Sequence, residues 1–147
     1  MSRWQEALSL LARLVVAGVF LFAAYDKVWE PAKFAASVAQ YDLIPLWAVN
    51  AGSVVLAWLE IMVGSMLLLG LYTRAAAAWA SMLLVFFTCL MVYAGITGAG
   101  FDCGCFPGGT PGEAHAAGWE GAARDLGFLL PALWLVWRPG RWVSLKA

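Results

Sequence analysis

The sequence predicts an all-α integral membrane protein. The expected architecture is a four-transmembrane-helix bundle, with a short interfacial helix after span one and a Cys-Gly-Cys loop between spans three and four. Three observations predict it. The 147 residues are 63% hydrophobic and 12% charged, with a mean hydropathy of +0.79, whereas a soluble domain is about 25% charged and about 45–50% apolar. The apolar residues come in runs near the roughly 20 residues a helix needs to cross the hydrocarbon core. Nine tryptophans include Trp4, Trp29, Trp47, Trp137 and Trp142 near the predicted span ends, as in an interfacial aromatic belt. The chain reads as a single domain over 1–147. Zero net charge argues against nucleic acid as a partner, and three cysteines are too few for a disulfide scaffold.

Span one is expected over about 7–24, Ala7 to Ala24, interrupted only by Ser9 and Arg13. A cleaved signal peptide is the rival reading. Arg13 inside the apolar run argues against it, as does Phe22, where cleavage before Tyr25 would want a small residue. Tyr25 to Leu46 is more polar and carries Asp26, Lys27, Glu30, Lys33 and Asp42. Pro31 can start a short helix there, with Phe34, Val38 and Tyr41 on one face, lying at the membrane interface and ended by Ile44-Pro45.

Span two is expected over about 47–71, with Glu60 near its middle, and span three over about 75–96 with no charge. Tyr72-Thr73-Arg74 would join them as a tight helical hairpin. Thr97 to about Glu120 is rich in glycine and proline and reads as a loop; it holds Cys103, Cys105 and His115, the only histidine. Span four is expected over about 121–137. Its uncharged core, Leu126 to Trp137, is short, and the adjacent Arg124 and Asp125 would lie near the interface. With four spans, Arg3, Arg74, Arg138, Arg141 and Lys146 share one side, and Lys27, Lys33 and Arg124 the other. The positive-inside rule then puts both termini in the cytoplasm and the cysteine loop outside. With three spans the bias reverses.

Cys103 and Cys105 are the leading candidates for chemistry. Residues two apart reach disulfide geometry if the backbone between them bends, and Gly104 permits that. Such a ring would be strained and easily reduced, and would close too short a loop to serve as a staple. Metal capture, with His115 and Asp102 nearby, is a second reading, although a closed soft-metal site wants three or four N/S donors. An inert pair is the third. Cys89 falls about seven residues inside span three, roughly 10 Å deep at 1.5 Å per residue. It reads either as a small buried apolar side chain or as a relay thiol. Arg13 and Glu60 are ionisable groups in apolar spans and thus functional candidates, able to partner each other as a packing ion pair or a proton or ligand site. Lys27, at the outer end of span one, reads as a headgroup anchor. Gly64 and Gly70, with Ser65, read as close-packing residues.

The ordered landmarks Arg13-x4-Gly18-x8-Lys27, Glu60-x3-Gly64-x5-Gly70 and Thr73-Arg74 resemble the DoxX-like family of four-helix membrane proteins. Asp102-Cys103-Gly104-Cys105-Phe106 narrows the resemblance to its MauE (methylamine utilisation) branch, over Arg13 to Trp137. Pro107 departs from the glycine common there. The resemblance implies a redox-associated protein of the bacterial inner membrane, working with a periplasmic thioredoxin-fold partner. MauE is associated with maturation of a disulfide-rich periplasmic enzyme, and DoxX relatives with sulfur-compound oxidation and quinone reduction.

The expected function is therefore thiol–disulfide exchange through Cys103 and Cys105, with Asp102, Gly104, Phe106 and Arg124 in support. A membrane quinone is the expected electron sink, walled by Phe101, Phe106, Trp119 and Phe128; no tightly bound cofactor is expected. Alternatives are an assembly subunit among other membrane subunits, and a metal-handling protein using Cys103, Cys105 and His115.

Overall fold

The computed structural model describes residues 2–39, 44–97 and 114–141, and the fold they form is all-helical. Ser2 starts the first helix, α1 (Arg3–Trp29), through a capping box. Its hydroxyl accepts from the Gln5 amide, and the Gln5 side chain accepts from the Ser2 amide in return. This reciprocal arrangement satisfies two otherwise orphaned donors. α1 therefore extends beyond the expected 7–24 at both ends, and the polar turn Tyr25–Trp29 stays helical. Pro31 explains where it stops: proline disfavours helical geometry at the residue before it, and it then serves as the first residue of α2 (Pro31–Ala39).

Of the face expected on α2, Phe34 is buried together with Ala35; the side chain of Val38 and the whole of Tyr41 lie outside the described residues. α3 (Leu46–Leu69) begins after the extended Pro45 and ends in a Schellman pattern. There Gly70 is left-handed (φ 70°), the Leu71 amide donates to Met66 O at 2.8 Å, and the Gly70 amide donates to Leu67 O at 3.3 Å. Gly70 is thus a helix stop, not the close-packing residue its spacing suggested. Tyr72 is also at positive φ (44°), so the chain reverses within three residues and enters α4 (Thr73–Thr97).

α5 (Ala114–Trp137) starts seven residues before the expected 121. The reason is local: after the glycine–proline stretch, Ala114, Ala116 and Ala117 are strong helix formers. The helix continues through Pro131, which forfeits one backbone hydrogen bond.

α1, α3 and α4 are long and apolar enough to cross a membrane. α5 is equally long, but every 18-residue window of it contains Glu120, Arg124 and Asp125. The four long helices form a ring in chain order, α1 against α3, α3 against α4, α4 against α5, and α5 back against α1. Neighbours are antiparallel. A Cβ on Gly64 would come within 2.8 Å of Leu21 Cγ, and one on Gly121 within 2.9 Å of Met91 Sδ, which fixes both registers.

The core runs down the axis through Val16, Phe20, Val63, Leu67, Leu84, Phe87 and Leu135, with Ala17, Ala76, Ala77, Ala80 and Ala132 where backbones approach closely. The opposite faces carry Leu8, Leu11, Phe22, Val54, Val55, Trp58, Met82, Val85 and Leu130 outward. A helix apolar on its outer face as well as its inner one suits a lipid surround.

The ring is closed at one end by the segment after α5. Ser9 Oγ donates to Arg138 O (2.9 Å) and accepts from Trp134 Nε1 (3.3 Å). The Arg141 amide donates to Glu6 Oε2 (2.7 Å). Gly140 is packed so tightly that a Cβ there would lie 2.6 Å from Ser9 Cβ. The start of α1 and the end of α5 therefore share one end of the bundle, and the end of α4 and the start of α5 share the other.

Candidate functional site

Burial on α1 follows one helical stripe, Glu6, Ser9, Arg13, Val16, Ala17, Phe20, Ala23, Ala24 and Lys27, at spacings of mostly three and four. Polar groups occupy both ends of that stripe. At the far end Lys27 is 2% exposed, and its ammonium donates to both oxygens of Glu60 on α3, at 3.0 and 2.9 Å. Two aromatic faces complete the box. Phe34 of α2 lies 5.0 Å from Lys27 Nζ and Phe87 of α4 5.4 Å, distances at which ring quadrupoles attract a cation. Lys27 is thus an interior charge rather than the headgroup anchor expected of it.

This pairing also overturns the expected Arg13–Glu60 pair. Arg13 lies fourteen residues before Lys27, about 21 Å along the helix, beyond the reach of an arginine side chain. Carried down α1 by the eight residues from Leu21, the Gly64–Leu21 register sets Arg13 level with the Gly70–Tyr72 turn. Arg13 is itself 2% exposed, inside the bundle but away from Glu60.

Asp125 of α5 completes the interior cluster. Arg124 and Asp125, expected as an opposite-charge pair near the interface, do form an ion pair but differ in burial. Arg124 is exposed, Asp125 is 3% exposed, and their closest approach is 3.6 Å. Asp125 Oδ2 is buried with no hydrogen-bond partner among the described residues. Between Asp125 and Glu60 lies a cavity of about 20 Å³, otherwise lined by Val19, Phe20, Ala23, Leu84 and Phe87. All four long helices contribute to it. Glu60 is fourteen residues from the start of α3 and nine from its end, so the cluster sits deep within a helix some 36 Å long.

The other expected site residues are more scattered. Cys103, Cys105, Asp102, Gly104, Phe101 and Phe106 lie outside the described residues, as does the side chain of His115. The flanking residues Thr97 and Ala114 end α4 and start α5 at the end of the bundle nearer Lys27 and α2. Trp119 is exposed with its ring against Gly95, where a Cβ would come within 3.0 Å of it. Phe128 packs against the core instead. Nine residues separate the two, or 2.5 turns, so they face opposite sides of α5 and are not brought to one wall. Cys89 is exposed on the outer face of α4, which corrects its reading as a small buried side chain. Among the described residues no group of three or more His, Cys, Asp and Glu could hold a metal ion.

A family model described as methylamine utilisation protein MauE matches residues 5–138. The chain belongs to the MauE family. The match spans α1 to the end of α5, so both the Lys27–Glu60–Asp125 cluster and the Cys103–Cys105 segment fall inside the MauE region. MauE proteins are membrane proteins linked to methylamine utilisation, in keeping with the three apolar helices of this multi-pass chain. No curated protein and no solved structure shows significant similarity to it.

Proposed function

We propose that the protein is a thiol–disulfide oxidoreductase of the bacterial inner membrane, passing electrons from a periplasmic thioredoxin-fold partner to a membrane quinone through Cys103 and Cys105. In this reading α5 is a fourth span, both termini face the cytoplasm, and the cysteine segment faces out. The single observation that carries it is Cys103-Gly104-Cys105 between two long helices of a MauE-family membrane chain.

The chemistry balances in two exchanges. A partner thiolate attacks one sulfur of the Cys103–Cys105 disulfide and releases the other as thiolate, giving a mixed disulfide. The partner's second thiol resolves it, so the partner leaves oxidised and Cys103 and Cys105 become a dithiol. Two electrons and two protons then pass to quinone, giving quinol and restoring the disulfide. Reduction of the partner instead would need a further thiol pair facing the cytoplasm, and the third cysteine, Cys89, is alone. Arg124, exposed on α5, is the cation proposed to stabilise a thiolate.

The test is alkylation trapping in intact cells with Cys103→Ser and Cys105→Ser singly. One variant is expected to accumulate a mixed disulfide with an exported thioredoxin-like protein. Free alkylation of both wild-type cysteines with no adduct would sink the exchange reading. A second reading, an assembly subunit of a larger membrane complex, is favoured by the interior packing of Arg13 and of Lys27 with Glu60. It expects full function from the double serine variant.

A further inference from the structure

Asp125 takes no part in the thiol chemistry, yet a carboxyl in the interior of a membrane bundle is costly and demands a reason. We propose that Asp125 is a proton-binding site in the bundle interior, carrying one exchangeable proton, with a single water in the adjoining cavity linking it to Glu60.

Charge counting points to the proton. Lys27 is the cation of the cluster, and both Glu60 oxygens already hold it at 2.9 and 3.0 Å. An ionised Asp125 would have as its own counter-charge only the exposed Arg124, 3.6 Å from its Oδ1, and neighbouring carboxylates in such a site do not both ionise readily. The surroundings offer little relief. α1 presents Val19, Phe20 and Ala23 to the cavity, α4 presents Leu84 and Phe87, and α3 presents only the negative Glu60. Besides Lys27 the nearby cation is Arg124, 3.6 Å away on the exposed side. Protonation removes a buried charge and turns the unpartnered Oδ2 into a donor.

The cavity has the matching size. About 20 Å³ exceeds the roughly 10–15 Å³ needed to admit one water, and is far below the several hundred Å³ of a cofactor pocket. A water there can accept from Asp125 and donate to Glu60. A hard metal cation fits poorly, because such ions gather about six oxygen ligands and this cavity is lined by two carboxyl groups.

The proposal does not rest on the thiol reading, and its test keeps them apart. The full chain in lipid nanodiscs is followed by infrared spectroscopy at neutral pH, in H2O and D2O. One protonated-carboxyl carbonyl band is expected, shifting in D2O, lost in Asp125→Asn and kept in Cys103→Ser/Cys105→Ser. Absence of the band in wild type, its persistence in Asp125→Asn, its failure to shift in D2O, or its disappearance on adding sodium at constant pH would each overturn the proposal. Should Asp125→Asn not fold, Asp125→Glu must move the band's frequency, and an unmoved band would equally overturn it.

Discussion

Lys27 sits two residues from the end of α1, where a lysine ordinarily extends towards headgroups, yet its ammonium turns inward to Glu60. Removing one partner of a buried pair strands the other charge, at a cost of about 3–5 kcal/mol. Lys27→Met is therefore expected to destabilise the bundle by about that much, and adding Glu60→Met should recover most of the loss. Thermal denaturation in nanodiscs checks this, and a double variant no more stable than the single one would show that the pair is not the cause. Arg13, Lys27 and Glu60 were visible in the sequence, because ionisable groups stand out in apolar runs. Their pairing was not, since it depends on how α1 slides along α3. Asp125 was hidden by its neighbour. Adjacent opposite charges read as a pair, and they do pair, but successive helix positions point about 100° apart, so Arg124 stays exposed while Asp125 is buried.

At the scale of the element, two glycines six residues apart do different work. Gly64 faces α1, and its missing side chain admits Leu21; Gly70 ends the helix in a left-handed turn. Spacing marks both as small residues and cannot separate a contact from a stop. Gly64→Ala is expected to cost about 1–3 kcal/mol through overpacking, and Leu21→Ala in the same chain should offset part of it. Equal losses with and without the Leu21 change would place the strain elsewhere. The long apolar helices were legible from run length and α2 from Pro31 and its apolar spacing, and boundaries were less so. Ser2 and Gln5 extended α1 by capping, and the alanines after Ala114 extended α5 into a stretch that its neighbouring glycines and prolines made look irregular.

For the whole molecule, the ring order follows from chain connectivity, because a three-residue reversal at Gly70–Tyr72 forces α3 and α4 to be antiparallel neighbours. What the sequence did not disclose is the closure of α5 onto α1. Glu6 and Ser9 carried no signal as a lone acid and a lone serine near one end, since they bond to backbone groups and, for Ser9, the Trp134 indole, some 130 residues away. Ser9→Ala removes two hydrogen bonds worth about 1 kcal/mol each. The Arg141 amide should then exchange with solvent about tenfold faster or more, as local opening becomes easier. Unchanged exchange would mean that Glu6 alone holds the segment.

That clasp also bears on biosynthesis. A ribosome supplies roughly 5–20 residues each second, so α1 waits some seconds, in the bilayer or at its edge, before residues 138–141 exist to meet Glu6 and Ser9. Lys27 waits a shorter time, because Glu60 follows it by only thirty-three residues. The inner charge is thus matched while the chain is still being made, and the bundle is locked only afterwards, when its late residues return to its earliest helix.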